Sequence, residues 1–519
     1  MSRFNKTTKG YNRTVNFAGG EAYSMPPEIE LYTLVCTFMM QDTYYETNDE
    51  RIQRLESLIK QCDPLFVSKL AVYAREHMYL RTVPIIITVL LIKNTKNVEY
   101  LWNLVFRVIQ RPDEITEMLA CYQKFNQRNG TKKLNKLSNQ LKKGIRAVFE
   151  TAKFDEYQYA KYNRKTEIRF RDAMFLTHPR PFDSNQKRLF EAIANNTLNT
   201  PDTWEVGISK CTSKEEKRSV FERLIDEKRM GYMAILRNLR NFLINDVSAD
   251  HIQKVCDYIS NERNVLHSKQ MPFRFLAAYR SITPETTDIP GLRYNTYNGI
   301  DENDIRVKML QMALEKAVKY SVSNVKLFDT DNILLATDVS GSMQQPVSKN
   351  SKILMYDIGT VLCMMMKYKY KNAKTGIFGS KWMLMDFGSD NILHNAQLVH
   401  DEEGKVGYRT NAYKIINYCI SENEKFDKIF VFTDTQVYDS DLFYYEDVIK
   451  FQNKWEEYKR MNKDAKLYIF DLCGTTSTPV DIRRNDVVIV SGYSDRMFDM
   501  LASIEQGSSI IEEINNVNF

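Results

Sequence analysis

Two periodicities divide the chain. Up to about residue 320, apolar positions recur at the three- and four-residue spacing of amphipathic helices; beyond it, short apolar runs alternate with longer helical patterns. In the first part Pro26-Pro27-Glu28 opens a helix over Ile29–Met40, and Asp49-Glu50 leads one over Ile52–Ile59. Asp63-Pro64 caps a third over Leu65–Met78, with proline in the first turn, where its missing N–H is no loss. Val83-Pro84 and Pro112-Asp113-Glu114 open two more, and an apolar helix over Val307–Tyr320 closes the series. Helices with short polar joints and no clean repeat period predict stacked hairpins of the HEAT type, in an irregular superhelix or ring.

The second part has the rhythm of a doubly wound, Rossmann-like α/β sheet. Strands are predicted over Ile333–Ala336, Thr375–Phe378, Trp382–Phe387, Ile429–Thr433, Lys466–Asp471 and Val487–Val490. Helices are predicted over Lys352–Tyr368, Ala412–Ser421, Glu446–Met461 and Arg496–Ile504. A chain of 519 residues is too long for one core, so two domains are expected, 1–325 all-α and 326–519 α/β, joined near Ser321–Leu327. The polar start lacks the apolar core of a signal peptide, and no apolar run is long enough to span a membrane. The eight cysteines form no Cys-x-x-Cys pair and read as reduced core residues of a cytoplasmic protein with no membrane partner.

Candidate chemistry gathers at Asp338-Val339-Ser340-Gly341-Ser342, between the first strand of the second part and a helix. Ligands of open α/β sheets bind at such carboxyl ends. In an extended loop residues i, i+2 and i+4 point the same way, so Asp338, Ser340 and Ser342 converge as hard oxygen ligands for a divalent cation, Mg²⁺ foremost with Ca²⁺ or Mn²⁺ as alternatives. Thr410 and Asp434, the latter directly after a strand, supply further candidates in the right order. The bland alternative is a turn in which these side chains satisfy backbone donors. Asp401-Glu402-Glu403 reads as an exposed acidic loop.

Charge changes the picture of the first part. The net charge of +6 is the balance of +12 over residues 1–325 and −6 over 326–519, and residues 124–189 alone hold 17 basic and 6 acidic residues. Such a patch is the footprint of a polyanion. The candidate contacts are Lys132, Lys133, Lys136, Lys142, Lys143, Arg146, Lys161, Arg164, Lys165, Arg169, Arg171, His178 and Arg180. The i, i+3, i+4 spacing of Lys161, Arg164 and Lys165 predicts one helix face with three cations. A basic run can equally be a solvated helix face, and His178 before Pro179 can equally cap the preceding helix with its ring against the carbonyls.

Several stretches carry a resemblance: Asn16-Phe17-Ala18-Gly19-Gly20-Glu21-Ala22-Tyr23-Ser24, Asp63-Pro64-Leu65-Phe66-Val67, Ala71-Val72-Tyr73-Ala74-Arg75-Glu76, Leu80-Arg81-Thr82-Val83-Pro84, and Arg171-Asp172-Ala173-Met174-Phe175-Leu176-Thr177-His178-Pro179-Arg180-Pro181. In this order they resemble the TROVE module of the Ro autoantigen family, found also in bacterial Ro homologues. Asp338, Ser340, Ser342, Thr410 and Asp434 resemble the metal-ion-dependent adhesion site of von Willebrand factor A domains. The resemblance implies a HEAT-like helical ring closed by that domain. It implies small Y-like noncoding RNA on the outer surface and single-stranded 3′ ends of misfolded RNA in the hole, with Lys161, Arg164-Lys165 and His178 at RNA-contact positions. An exoribonuclease such as polynucleotide phosphorylase is an implied partner.

Enzyme signatures are missing. There is no Gly-x-x-x-x-Gly-Lys-Ser/Thr, Gly-x-Gly-x-x-Gly or His-Glu-x-x-His, and a hydroxyl-rich metal site without a general base is poor at activating water. The expectation is a non-enzymatic RNA-binding scaffold of RNA quality control or processing. The alternative is a metal-dependent module that binds an acidic protein ligand, serving an AAA-type ATPase, with the basic surface incidental.

Overall fold

The computed structural model describes residues 13–126, 137–199, 203–283, 300–301, 303–322, 328–348, 351–438 and 451–519. A helical region precedes an α/β domain with a mixed, mainly parallel sheet. Contacts divide the chain into two compact units: one of Met1–Pro26, Thr43–Tyr45 and Trp204–Ser509, the other of Pro27–Asp42, Glu46–Thr203 and Ile510–Phe519. The expected boundary at 325/326 falls outside the described residues.

The helices of the second unit start where local chemistry says they should. Thr47 and Glu50 form a reciprocal capping box for the helix Asn48–Gln61, and Asp63 accepts from the Leu65 and Phe66 N–H groups to start Pro64–Glu76. The first helix, Pro27–Cys36, stops short of the expected Met40. Thr37 Oγ1 donates back to Thr33 O at 2.7 Å and the Phe38 N–H turns to Val35 O, a tightened turn that ends it. Arg75 is buried and forks onto Glu114 at 2.6 and 2.8 Å, while its Nε donates to Val108 O. The helices Leu101–Val108 and Asn139–Glu150 cross so closely that a Cβ on Gly144 would lie 2.4 Å from Val105 Cβ. Phe149, Phe154, Tyr159, Phe170 and Phe190 form an aromatic core beneath the basic segment.

In the first unit the main sheet is built from β3 (Ile333–Asp338), β4 (Lys374–Phe378), β5 (Trp382–Met385), β6 (Lys428–Thr433), β7 (Lys466–Asp471) and β9 (Val487–Ser491), in the order β5-β4-β3-β6-β7-β9. All pairs are parallel except β4 with β5. Strands β3 and β6 are buried throughout, as parallel strands covered on both faces must be. The strand order reverses between them, which opens a crevice at their carboxyl ends. A second sheet joins β1 (Arg13–Val15), β2 (Glu21–Ser24) and β8 (Ser477–Thr478), bringing the start of the chain to the α/β domain.

Asp401 and Glu402 end a helix, Ile392–Glu402, whose apolar face Ile392, Leu393, Ala396 and Val399 is buried, and Glu403 accepts from Gln344. They are therefore no loop, a correction that the spacing of those apolar residues explains. Cys121, Cys211 and Cys473 are half-buried, and the other five cysteines are buried; all eight are free thiols. No described helix is long and apolar enough to cross a membrane.

The helix Pro272–Ile282 is tied to the α/β domain by Arg280. Its guanidinium forks onto Asp357 at 2.6 and 2.7 Å, at the start of Met355–Lys369, and Asp357 also accepts from the Leu354 N–H. Asp357 is fully buried and Arg280 nearly so. Removing one partner strands the other charge, so Arg280→Ala is expected to lower the stability of its cooperative unit by about 3–5 kcal/mol, read from urea melts.

Candidate metal centre and nucleic-acid interface

The crevice at the switch point holds two buried acids. Asp338 ends β3 and Asp434 follows β6 directly, and both side chains are essentially inaccessible. Asp338 Oδ1 accepts from the Ser340 N–H at 2.9 Å, and its Oδ2 from Thr433 Oγ1 at 2.6 Å. Asp434 Oδ1 accepts from the Gln436 N–H at 2.9 Å and its carboxylate from the Ser342 hydroxyl, which lies 3.4 Å from Ser340 Oγ. Burial first, and then the Asp434 charge, push the Asp338 carboxyl well above the usual range; burial likewise raises Asp434. Two carboxylates and two hydroxyls converging in a buried crevice fit a hard divalent cation, whose charge would offset their mutual repulsion.

The second loop lies against the first, since the Gly341 N–H donates to Tyr408 O at 2.8 Å. Thr410, two residues on, is buried and bridges to Tyr438, so it is pinned between the first and third loops. Thr435, next to Asp434, takes a positive φ of 64°, a strained conformation for a β-branched residue. Its hydroxyl is held by Thr475 and by Ser477 O in β8.

The remaining restraint comes from the start of the chain. Asn16 Nδ2 donates to Val437 O at 2.8 Å, and the Phe17 N–H to Gln436 Oε1 at 2.7 Å. Gly19 turns with φ +90°, and a Cβ on Gly20 would lie 2.4 Å from Val437 O. The Asn-Phe-Ala-Gly-Gly stretch is thus a clamp on the loop that carries Asp434. Tyr45 reaches the same place: its hydroxyl hydrogen-bonds Ser342, and its ring stacks on Phe17 at 5.7 Å. Burial and the nearby Asp434 raise the Tyr45 phenol pKa.

The basic residues lie on the second unit. Lys132, Lys133 and Lys136 are outside the described residues. Lys143, Arg146, Lys161, Arg164, Lys165, Arg169, Arg171, His178 and Arg180 are exposed, and Lys142 is half-buried. The expected helix face of Lys161, Arg164 and Lys165 does not form. The helix Glu156–Tyr162 stops at Asn163, whose backbone (ψ 85°) leaves the helical region, and Arg164 and Lys165 follow in a loop. The Asn163 N–H reaches back only to Ala160 O, a tightened last turn that ends the helix.

Arg146 and His178 meet at the end of the helix Phe170–Thr177. Arg146 Nε donates to Thr177 O at 2.7 Å, and His178 caps the helix in a left-handed conformation (φ 50°) through its backbone N–H, leaving the imidazole exposed. The cap is thus made by the backbone, and the ring does not serve the helix carbonyls as the capping alternative expected. The Arg180 N–H donates to Glu150 Oε1 at 2.9 Å, drawing the two helix ends together. Three exposed aromatics stand among these cations, Tyr157, Phe175 and Phe182, with Arg171 over the Phe175 ring at 5.3 Å. Sequence reading did not single them out, because exposure rather than residue type distinguishes them from core rings.

A family model described as the TROVE domain matches residues 31–197 and 196–290, half of the chain, and one described as the Ro60 vWA domain matches 332–504. The chain belongs to the Ro autoantigen family. The crystal structure of the Deinococcus radiodurans RO (RSR) protein shares the fold, with a TM-score of 0.58 at 16% identity over 92% of this chain and 100% of that one. Telomerase protein component 1 of Rattus norvegicus is 39% identical over 104 residues, 20% of this chain and 4% of that protein. The Mus musculus protein of that name is 45% identical over 85 residues, 16% and 3%. The Ro chain thus spans a small fraction of these curated relatives.

The clamp can be tested through its glycine. In the Ro chain Gly20→Ala forces a methyl group into Val437 O, and the expected cost is about 1–3 kcal/mol. A thermal melt beside Ser24→Ala, in the same strand region, checks that the loss is specific to Gly20.

Proposed function

We propose that this Ro-family chain is an RNA-binding scaffold for structured, Y-like noncoding RNA and for single-stranded 3′ ends of misfolded RNA, acting in cytoplasmic RNA quality control or processing. The observation that carries the reading is the group of exposed cations with interleaved aromatics over residues 139–182, all displayed from one aromatic core. Cations at Lys161, Arg164, Lys165 and Arg171 suit phosphates, while Tyr157, Phe175 and Phe182 offer faces on which unpaired bases stack, a combination suited to single strands. The loop position of Arg164 and Lys165 favours a flexible strand over a rigid duplex groove. An exoribonuclease such as polynucleotide phosphorylase is the proposed consumer of RNA ends delivered this way, and the scaffold itself has no catalytic role in this reading.

Fluorescence polarisation of a 3′-tailed structured RNA tests this. Wild-type binding is expected to fall with salt and to survive EDTA. Lys161→Ala/Lys165→Ala/His178→Ala is expected to bind about tenfold more weakly, with a salt slope shallower by about 1–2. Equal binding by both proteins would remove this surface from the reading.

The second reading, metal-dependent capture of an acidic protein ligand in the service of an AAA-type ATPase, is favoured by the buried acids and hydroxyls at the switch point. The proposed ion is Mg²⁺, held by Asp338, Ser340, Ser342, Thr410 and Asp434. When bound, it supplies a hard positive centre able to accept one further carboxylate oxygen. In EDTA, Asp434→Asn is expected to melt higher than the wild type, because one of two buried like charges is gone. Mg²⁺ at about 100 times its Kd is expected to stabilise the wild type by about 2.7 kcal/mol and leave that variant unmoved. Identical Mg²⁺ responses would rule the site out.

A further inference from the structure

The loop that reaches the metal crevice from far away in the chain has no place in either reading. Thr43–Tyr45 belongs to the same compact unit as the crevice, although the residues on either side of it belong to the other unit. The Tyr45 hydroxyl is bonded to the Ser342 hydroxyl, and that hydroxyl in turn is bonded to Asp434. Its ring is fixed on two sides: Phe17 stacks on it at 5.7 Å with planes 15° apart, and Tyr44 meets it edge-on at 4.9 Å and 70°. Phe17 is anchored by its own N–H to Gln436 Oε1, and the Gln436 N–H is bonded to Asp434. The circuit Asp434, Gln436, Phe17, Tyr45, Ser342 closes back on Asp434. It holds a phenol against a candidate ligand of the cation.

From this placement we infer that Tyr45 is a tethered lid on the metal centre: its side chain occupies the approach that a partner's carboxylate needs, and an acidic protein ligand binds only when the lid swings aside. This inference rests on the metal-site reading above and adds its regulation. A neutral phenol is a much poorer ligand for a hard cation than a carboxylate. Tyr45 therefore covers the centre without competing for it by charge, so a carboxylate can displace it. Tyr45 is half-buried against the Phe17 and Tyr44 rings, and Tyr44 beside it is largely exposed, so the lid has an open side toward which it can move. The apparent affinity for an acidic ligand is reduced by the fraction of time the lid is open.

The test uses the full chain, Mn²⁺ as the metal and acetate as the acidic probe. Mn²⁺-loaded wild type, Tyr45→Phe and Tyr45→Ala are compared by water-proton relaxation, which reports water exchanging on the bound ion, and by acetate titration of that signal. Tyr45→Ala is expected to raise the relaxation enhancement and to bind acetate about tenfold more tightly than wild type, with Tyr45→Phe, which keeps the stacked ring but loses the bond to Ser342, in between. If Tyr45→Ala does not fold, the shift in Tyr45→Phe decides alone. Equal relaxation and equal acetate affinity in the variants and the wild type, with Mn²⁺ bound to each, would overturn the lid and leave the metal site standing. Loss of Mn²⁺ affinity in Tyr45→Phe would make the phenol a cation ligand and also overturn it. No Mn²⁺ binding by wild type would overturn the metal-site reading, and the lid with it.

Discussion

Two carboxylates buried side by side at the ends of β3 and β6 are the constraint around which the α/β domain is arranged. Like charges out of water are among the costliest things a fold can hold, and each neighbour here answers that cost in part. Thr433 and the Ser340 N–H bind Asp338, while Ser342 and the Gln436 N–H bind Asp434. The strand order makes the position possible, because only at the switch point do two adjacent parallel strands splay their following loops apart. The strained backbone at Thr435 is tolerated because hydroxyl contacts to Thr475 and Ser477 hold it.

The same constraint gives the amino-terminal motif a physical meaning. Asn16, Phe17 and Gly20 are spent on the loop after Asp434, more than four hundred residues on, and Asn16 Oδ1 also accepts from the Gly20 N–H at 2.8 Å to hold the motif's own turn. The basic segment follows a different logic. The helices that carry its cations pack on Phe149, Tyr159 and Phe170, so the core holds the scaffold and the surface residues set the chemistry.

Much of this was legible because it is local. The β7 bounds, the proline and aspartate helix starts, and the order of Asp338 before Thr410 before Asp434 all follow from patterns a few residues long. The misreadings were also local. A cation spacing of i, i+3, i+4 implied a helix through Lys165, but Asn163 ends it, and an acidic triplet hid the helical spacing of Ile392, Leu393, Ala396 and Val399. What no local pattern could reveal was the long-range pairing. Strands as short as β1, β2 and β8 carry too few residues to show alternation, and nothing around Tyr45 points to Ser342.

The interrupted make-up of the two units bears on how the chain is made. Strand β2 is made about 450 residues before its partner β8, which is tens of seconds at ordinary synthesis rates. Through that interval the hairpin that will brace the third loop has an unpaired edge, and the helices of the other unit lack Ile510–Asn515, which is made later still. In nascent chains of this topology both units therefore remain incomplete until the segments around 477 and 510 have been made. The high sequence separation of these contacts makes their closure slower than the formation of the local helices.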